Sequence, residues 1–226
     1  MVAAGRGERC GQPPKQFRPL AGVPLLLHAL RPFLSHPAVA SVVAVLPASE
    51  TQSPPEWLRE LIGERLRLAA GGAARMDSVA NGLAVLPAEC SIVLVHDGAR
   101  PFPEPVVIDA VIAAAREGTG AVAAVPVSDT LKEAGNVEAK GPPPVLRTVA
   151  RAALWRAQTP QGFPRGLLEQ AFGSAREAGY AGTDEAELVE RDGGRVRLIR
   201  DVSTNLKITT PEDFVLAEAL ARSRRG

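Results

Sequence analysis

The sequence predicts a doubly wound α/β fold with a mostly parallel sheet. Short apolar runs rich in valine alternate along the chain with amphipathic stretches, and such runs are typical of strands that are covered on both faces. The amphipathic stretches open with residues that commonly start helices, so strand and helix alternate. The 226 residues, 46% of them hydrophobic, suffice for one large α/β domain over residues 1–226.

Five short apolar runs are the predicted strands, and the predicted helices lie around them. The strands are predicted at residues 41–46, 66–70, 91–96, 120–127 and 195–199. The helices are predicted at residues 24–33, from 53 onward, at 76–86, at 106–116 and at 210–222. Pro24 opens the first helix, while Ser53 and Thr210 each offer an N-cap followed by proline and an acidic residue. The remaining two helices are predicted from their apolar period.

One segment interrupts this alternation. Residues 128–150 contain two lysines, two glycines and three consecutive prolines, which is too polar for a core strand and too long for a plain turn. We expect a β-hairpin or arm that projects from the domain and serves dimerisation or closure of a site. A surface loop without regular structure is the alternative.

Composition and charge argue against several classes of protein. The 26 basic and 25 acidic residues leave a formal net charge of +1, whereas nucleic-acid-binding proteins usually carry a strong basic excess. Two cysteines and three histidines lack the spacing of a disulfide framework or a zinc site. We find no apolar run long enough to span a membrane and no leader, so we expect a cytoplasmic protein. Only four basic residues are lysines, and each invites the question of why arginine would not serve: Lys15, Lys132, Lys140 and Lys207.

The first sixteen residues combine small residues with flanking cations. The small residues are Ala3, Ala4, Gly5 and Gly7. Where side chains are this small, backbone N–H groups can approach a phosphate or a base closely. Arg9 and Lys15 flank the turn, which suits neutralisation of a triphosphate. The segment lacks the GxxxxGK[ST] phosphate loop and the third glycine of the dinucleotide pattern, and a glycine-containing turn without a ligand is the alternative.

Seven sequence blocks, in this order and spacing, resemble one enzyme family. The first runs from AAGRGER at residue 3 to PPKQF at residue 13. The others are GGAARMDSV (71–79), VHDGARP (95–101), TLK (130–132), R with LW and QTPQ (151–161), TDEA (183–186) and NLKIT (205–209). Together they resemble the 2-C-methyl-D-erythritol 4-phosphate cytidylyltransferases of the non-mevalonate isoprenoid pathway, whose close relatives are the ribitol 5-phosphate cytidylyltransferases.

The resemblance implies a Rossmann-like nucleotidyltransferase fold and transfer of CMP from CTP to 2-C-methyl-D-erythritol 4-phosphate, with release of pyrophosphate. It implies Mg²⁺ or another divalent cation as cofactor, held by Asp97 directly or through water. The implied catalytic residues are Arg9, Lys15, Arg151 and Lys207. The implied nucleotide-binding residues are Ala3, Ala4, Gly5, Gly7, Gly71, Gly72, Asp77, Ser78 and Asp97. The implied acceptor-binding residues are Asp97, Thr130, Arg151, Thr159, Thr183 and Lys207.

Several of these residues also have structural explanations. Asp97 follows an apolar strand and could be a turn or N-cap residue. Ser78 and Asp184 could each cap a helix, and Arg100 could simply pair with Asp97. His96 is expected to be a buried histidine at a strand end rather than a base.

Two alternative functions stay open. The acceptor could be ribitol 5-phosphate, since the motifs do not distinguish the two polyol phosphates. The chain could also be a non-catalytic nucleotide-binding module, although the presence of Arg9, Lys15 and Lys207 argues against that. The expected partners are CTP, a polyol phosphate and a second copy of the chain bound through the arm, with Arg151 reaching the acceptor phosphate across the dimer interface. Neither nucleic acid nor a membrane is expected.

The two ends of the chain carry expectations of their own. Only Met1 and Val2 precede Ala3, fewer apolar residues than the first strand of the family has. Either the first strand is shortened or the start is truncated, and a short strand would anchor the nucleotide loop less firmly. The chain ends soon after its last predicted helix, so we expect a monofunctional enzyme without the cyclodiphosphate synthase domain that is fused to some relatives.

Overall fold

The computed structural model describes residues 1–5, 14–135 and 141–224. The strands are β1 (Pro19–Leu20), β2 (Val23–Pro24), β3 (Val42–Leu46), β4 (Leu66–Ala70), β5 (Ile92–Val95), β6 (Gly120–Pro126), β7 (Leu131–Ala134), β8 (Val145–Val149), β9 (Trp155–Pro164) and β10 (Val196–Arg200). The helices are α1 (Leu25–Leu34), α2 (Ala48–Gln52), α3 (Glu56–Arg59), α4 (Arg75–Val85), α5 (Pro105–Arg116), α6 (Arg165–Glu177), α7 (Glu185–Arg191) and α8 (Pro211–Ser223). A 3₁₀ turn spans Lys15–Phe17.

Six of the strands form one layer in which Val2 joins two parts. Four strands pair in the order β10-β6-β9-β5, and β3 pairs with β4. Val2 bridges both parts, because it pairs in parallel with Val45 of β3 and with Asp97 just beyond β5. The pairs β10–β6 and β3–β4 are parallel, whereas β9 runs antiparallel to both β5 and β6. The α/β prediction is confirmed, and β9 is the strand that departs from parallel order.

Helices cover both faces of this layer, as a doubly wound fold requires. On one face, α4, α6 and α7 bury residues such as Leu83, Leu168 and Leu188 against β5, β6 and β9. On the other face, α1 and α5 bury residues such as Leu30 and Ile108 against β3 and β4. Each such aliphatic side chain contributes about 1.5–3 kcal/mol when it is fully removed from water.

The predicted elements recur with small shifts at their ends, and one start is wrong. All five predicted strands are present as β3, β4, β5, β6 and β10. Thr210 caps α8 as predicted, since its hydroxyl accepts the Asp213 N–H and the Asp213 carboxylate accepts the Thr210 N–H. The helix expected from Ser53 starts at Glu56 instead, and Ser53 follows the end of α2. Two prolines separate these residues, and a residue that precedes proline is disfavoured in the helical conformation.

The segment at residues 128–150 contains the β-hairpin that was one of its two predicted forms. Strands β7 and β8 pair antiparallel and make a two-stranded sheet of their own. Almost all of their side chains are exposed. Lys140 lies outside the described residues.

A cavity of about 290 Å³ lies between β3 and β5, lined mostly by apolar side chains. Val2 occupies only one end of the space between these two strands. Its N–H donates to the His96 carbonyl, and the Met1 carbonyl accepts the Val45 N–H. The cavity therefore lies in line with Val2, in the rest of the space between β3 and β5. Among the described helices, none is long and apolar enough to cross a membrane.

Candidate functional site

The carboxyl ends of three parallel segments meet at one edge of the sheet and border a cleft. The segments are β4, β5 and the residues that follow Val2. The cleft has a volume of about 680 Å³, which suits a small-molecule ligand. Its position is the one where open α/β sheets bind ligands. The predicted site residues that line it are Ala3, Ala4, Gly5, Lys15, Gly72, Ser78, Asp97 and Lys207.

Two glycines allow the loops of this edge to approach each other closely. A Cβ atom on Gly71 would lie 2.3 Å from the Cβ atom of Ala4, and one on Gly98 would lie 2.8 Å from that of Ala3. Both distances are far below van der Waals contact. The N-terminal loop is therefore packed directly against the loops that follow β4 and β5, and backbone groups form this wall of the cleft.

The N-terminus of α4 forms another wall. The Ser78 hydroxyl accepts the Gly72 N–H at 3.1 Å and donates to the Ala74 carbonyl at 3.1 Å. The Asp77 carboxylate accepts the Ala74 N–H at 3.0 Å. Both side chains therefore shape the loop around residues 71–74. The helix-capping alternative for Ser78 is wrong: Ala74 is the N-cap residue, and Asp77, not Ser78, satisfies its N–H. Their predicted contact with the cytosine base stays a prediction.

Asp97 lies among three cations. Its Oδ2 atom is 2.8 Å from Lys207 Nζ and 3.8 Å from Arg100 Nε. Its Oδ1 atom is 3.4 Å from Arg75 Nη2. Burial alone would raise the pKa of Asp97, but the three cations lower it to about 2. The carboxylate is therefore ionised at neutral pH, and the pairing of Arg100 with Asp97 is present.

A buried chain of hydrogen bonds fixes the backbone of Asp97. The Asp97 N–H donates to the Thr159 hydroxyl at 3.0 Å, and that hydroxyl is 3.0 Å from Nδ1 of His96. His96 Nε2 lies 2.9 Å from the Arg100 carbonyl, which can only accept, so Nε2 carries the proton and Nδ1 accepts from Thr159. Burial lowers the pKa of His96 to about 4. His96 is the buried, neutral strand-end histidine that was expected.

The two lysines of the cleft are held near Asp97 by the segment before α8. Lys15 Nζ donates to the Ile208 carbonyl at 2.8 Å, and the Ile208 N–H donates to the Ala99 carbonyl. Lys207 precedes Ile208 and reaches Asp97 directly. Residues that are far apart in sequence thus bring two ammonium groups to the same side of the cleft.

Two charged residues of the site were missed by the sequence analysis. Arg75 lines the cleft and contacts Asp97, and its Nη1 atom is 2.5 Å from Oε1 of the buried Glu185. Burial alone would lower the pKa of Arg75, but Glu185 and Asp97 raise it, so the guanidinium stays protonated. Arg75 lies within the GGAARMDSV block and Glu185 within the TDEA block, so the family motifs were the sequence signal that could have identified them. Asp184 caps α7 as predicted, by accepting the Glu187 N–H at 2.9 Å.

Of the six predicted acceptor-binding residues, Asp97 and Lys207 line this cleft and the other four do not. Thr130 and Arg151 are exposed, and the Arg151 guanidinium donates to the Ser128 carbonyl. Thr183 donates its hydroxyl to Glu187 at 2.7 Å. The Thr159 hydroxyl is buried behind Asp97. The roles of these four residues toward the acceptor stay predictions. Gly7 and Arg9 lie outside the described residues.

The described residues contain no cluster of three or more acidic, histidine or cysteine side chains that could hold a metal. Asp97 is the carboxylate that lines the cleft, and both of its oxygens contact cationic side chains. Mg²⁺ in nucleotide sites is usually bound by one or two carboxylates together with substrate phosphates and water. Among the described residues that line the cleft, Asp97 is thus the carboxylate that could hold Mg²⁺ beside a bound triphosphate, in exchange for a contact with a cationic neighbour, and the cation stays a prediction.

Comparisons with known proteins agree on one family. The family model described as IspD, 2-C-methyl-D-erythritol 4-phosphate cytidylyltransferase, matches residues 1–223. The protein of that name from Pelotomaculum thermopropionicum is 44% identical over 233 residues, which cover 100% of this chain and 94% of the relative. The one from Bacillus velezensis is 41% identical over 227 residues, which cover 99% and 95%. The crystal structure of the Thermus thermophilus protein of that name matches with a TM-score of 0.80 at 38% identity and covers 98% of this chain and 97% of that one. This likeness confirms the Rossmann-like nucleotidyltransferase fold.

Proposed function

This chain belongs to the 2-C-methyl-D-erythritol 4-phosphate cytidylyltransferase family, and we propose that the cleft described above is where it carries out the family's reaction. The protein is a nucleotidyltransferase that transfers the cytidylyl group of CTP to 2-C-methyl-D-erythritol 4-phosphate in isoprenoid precursor biosynthesis. One observation supports this assignment of the cleft. Lys15, Lys207 and an ionised Asp97 line it together, at an edge of the sheet where glycines also line it.

The chemistry requires charge stabilisation more than acid–base catalysis. A phosphate oxygen of the acceptor attacks the α-phosphorus of CTP, the bond from that phosphorus to the bridging oxygen breaks, and pyrophosphate leaves with the electron pair. A phosphate monoester is already an anionic nucleophile near neutral pH. The barrier therefore comes from repulsion between anions and from charge that develops on the equatorial and leaving oxygens.

Lys15 and Lys207 are placed to supply this stabilisation. Both side chains line the cleft, and Lys207 Nζ contacts the Asp97 carboxylate. Positioned charges of this kind are worth several kcal/mol in a transition state. We assign Lys15 and Lys207 to the α-phosphate and the leaving pyrophosphate. Arg9 would act beside them, on the family pattern.

The nucleotide is assigned to the wall formed by the N-terminal loop and the start of α4. A Cβ on Gly71 or Gly98 would overlap the N-terminal loop, so main chain rather than side chains forms this part of the wall. The N-terminus of α4 also carries the partial positive charge of a helix dipole, which favours an anionic ligand.

Mg²⁺ is part of the proposal as the companion of the triphosphate. When bound, it would neutralise phosphate charge and polarise phosphoryl oxygens. Asp97 is the residue we assign to it, directly or through water. The chain's own contribution is to keep this carboxylate ionised and fixed, through its cationic neighbours and through Thr159.

A homodimer through the hairpin is a further part of the proposal. The hairpin exposes Val145 and Leu146 at 62% and 63%, and exposed apolar groups of this size favour burial against a partner. Arg151 follows β8 and does not line the cleft of its own chain. Its proposed contact with the acceptor phosphate therefore needs a second copy of the chain.

The deciding experiment measures pyrophosphate release from CTP and Mg²⁺ with each polyol phosphate in parallel. We expect turnover with 2-C-methyl-D-erythritol 4-phosphate and at least a hundredfold lower kcat/KM with ribitol 5-phosphate. Turnover confined to ribitol 5-phosphate would overturn the acceptor assignment. CTP binding without turnover of either acceptor would support the non-catalytic alternative. Sedimentation of a variant that lacks residues 131–149 tests the hairpin, and a dimer that persists without it would refute its role.

A further inference from the structure

The buried carboxylate of Glu185 has no place in the reaction as assigned above. Its side chain is 2% exposed, and its Oε1 atom pairs with Arg75 Nη1 at 2.5 Å. Its Oε2 atom is buried and has no hydrogen-bond partner in the part of the chain that the structure describes. Burying a carboxylate is costly unless a cation compensates for it, and Arg75 is that cation for Glu185.

The backbone around Glu185 is fixed from the centre of the sheet. The side chain of Gln161, on β9, accepts the Ala186 N–H at 3.1 Å and donates to the Asp184 carboxylate at 2.8 Å. Both residues that flank Glu185 are thus bound by one buried amide. Glu185 is consequently a rigid anchor rather than a mobile surface carboxylate.

Arg75 connects this anchor to the cleft. It is the first residue of α4, and its guanidinium pairs with Glu185 through Nη1 and with Asp97 through Nη2. A guanidinium is a planar fork, so fixing one nitrogen also fixes the direction of the other. Without Glu185, the side chain of Arg75 would be free to follow Asp97 or to turn toward solvent.

We propose that Glu185 is a positioning residue: it fixes the direction of the Arg75 guanidinium, which lines the cleft in which CTP binds. The inference rests on the proposed function of the cleft as a CTP site. It ties α7 to the start of α4, two elements whose charged residues lie 110 positions apart in the sequence. Glu185 itself is not assigned a contact with either substrate.

The direction in which Glu185→Gln changes the Kd of CTP distinguishes this positioning role from a simple electrostatic effect of the Glu185 charge. Glu185→Gln keeps the shape of the side chain and removes a negative charge close to the cleft. Charge alone would make CTP bind as tightly as before or more tightly, because one repulsive group is gone. Loss of an oriented Arg75 makes CTP bind more weakly, and a hydrogen bond between charged groups is large enough for a loss of about tenfold.

The test is a double-mutant cycle on the dissociation constant of CTP, measured by titration calorimetry at 25 °C. We expect Glu185→Gln to raise Kd about tenfold in the wild-type background and at most about twofold in the Arg75→Gln background, since the carboxylate acts only through the guanidinium. Glu190→Gln, an exposed glutamate on the same helix, is the matched control and should leave Kd unchanged. Glu185→Asp keeps the charge, replaces Glu185→Gln in the cycle if that variant does not fold, and should raise Kd by an intermediate factor.

Thermal unfolding of every variant accompanies these titrations. A merely structural role would lower Tm without changing Kd in protein that is still folded at 25 °C, and that result would overturn the proposal. An equal loss in the two backgrounds, or tighter binding by Glu185→Gln, would also overturn it. If wild-type protein binds CTP but turns over no acceptor, the proposed function fails while the cycle still decides the role of Glu185. Absence of CTP binding by wild type would refute both.

Discussion

Acidification from pH 7 to pH 4.5 should destabilise this protein through one buried histidine. The pKa of His96 is lowered from 6.5 to about 4, chiefly by burial. The unfolded chain therefore takes up a proton near pH 6.5, whereas the folded protein resists protonation until about pH 4. The stabilisation that comes from keeping His96 neutral is fully present above pH 6.5, and it is lost as the pH falls from 6.5 toward 4. At 1.36 kcal/mol per pH unit, the loss at pH 4.5 is about 2.5 kcal/mol.

The contacts of the ring explain the resistance to protonation. Nδ1 of neutral His96 accepts the Thr159 hydroxyl proton, and protonation of Nδ1 would force this hydroxyl to turn and accept instead. The ring also packs at 4.9 Å against Phe33, which offers no counter-charge. Because the Thr159 hydroxyl also accepts the Asp97 N–H, protonation of His96 would disturb the loop that carries Asp97.

The assay compares the free energy of unfolding by urea between pH 7 and pH 4.5 in wild type and His96→Asn. Other groups act in or near this window, so the difference between the two proteins is the measured quantity. Burial raises the pKa of Glu185, which makes the folded state relatively more stable as the pH falls and so opposes the effect of His96. The pKa values of Asp97 and Glu187 are held at about 2, so their stabilisation is lost only below 3.8 and 4.5.

We expect the variant to be less stable at pH 7, because it loses packing, and its acid-dependent decrease to be about 2.5 kcal/mol smaller than that of wild type. A decrease should remain in both proteins, because burial also lowers the pKa of the Met1 ammonium from 8.0 to about 6. His28→Asn, which removes a half-buried ring elsewhere, should retain the decrease. If His96→Asn loses as much stability between pH 7 and pH 4.5 as wild type does, the buried neutral histidine is not the cause and the reasoning fails.

Three further outcomes are expected. Lys207→Ala and Arg9→Ala should each lower kcat by about 10²-fold or more with Tm within a few degrees of wild type, and an unchanged kcat in both would contradict their catalytic assignment. Gly71→Ala should weaken CTP binding at least tenfold because its Cβ would overlap the N-terminal loop, whereas Gly166→Ala, where no atom lies within 4 Å, should leave binding unchanged in the same titration. Adding four β-branched apolar residues before Met1 should raise Tm, because the added strand would fill the cavity between β3 and β5. A Gly-Ser extension of equal length is the control and should leave Tm unchanged. Equal melting curves for the two extensions would show that no strand enters the cavity.

The parts of the fold that sequence could predict are those whose cause is local. Strands β3, β4, β5, β6 and β10 are short runs of apolar residues, and their burial follows from composition alone. The cap of α8 is likewise local, since Thr210 and Asp213 are three residues apart and satisfy each other. Such elements need no knowledge of what they pack against.

Strand β9 shows why the remaining parts could not be predicted. Its sequence WRAQTPQGFP contains two prolines and several polar residues, which is unlike a central strand. It is nevertheless buried, because Gln158, Thr159 and Gln161 each find a partner from elsewhere in the chain. These partners are the Asn205 carbonyl, His96 and the start of α7. A polar side chain is inexpensive to bury only when such partners exist, and sequence pattern does not reveal them.

The same limit applies to the site, where motifs located single residues but not their pairing. The blocks indicated Asp97 and Lys207, yet not that the two would form an ion pair at 2.8 Å. This pairing has a chemical consequence. With Lys207 assigned to phosphate as proposed above, the phosphate and the Asp97 carboxylate would compete for the same ammonium group, so binding of an anionic substrate would exchange one counter-ion for another. The Asp97 carboxylate lets the cleft hold three cations close together, and on this assignment it would keep Lys207 oriented until the phosphate binds.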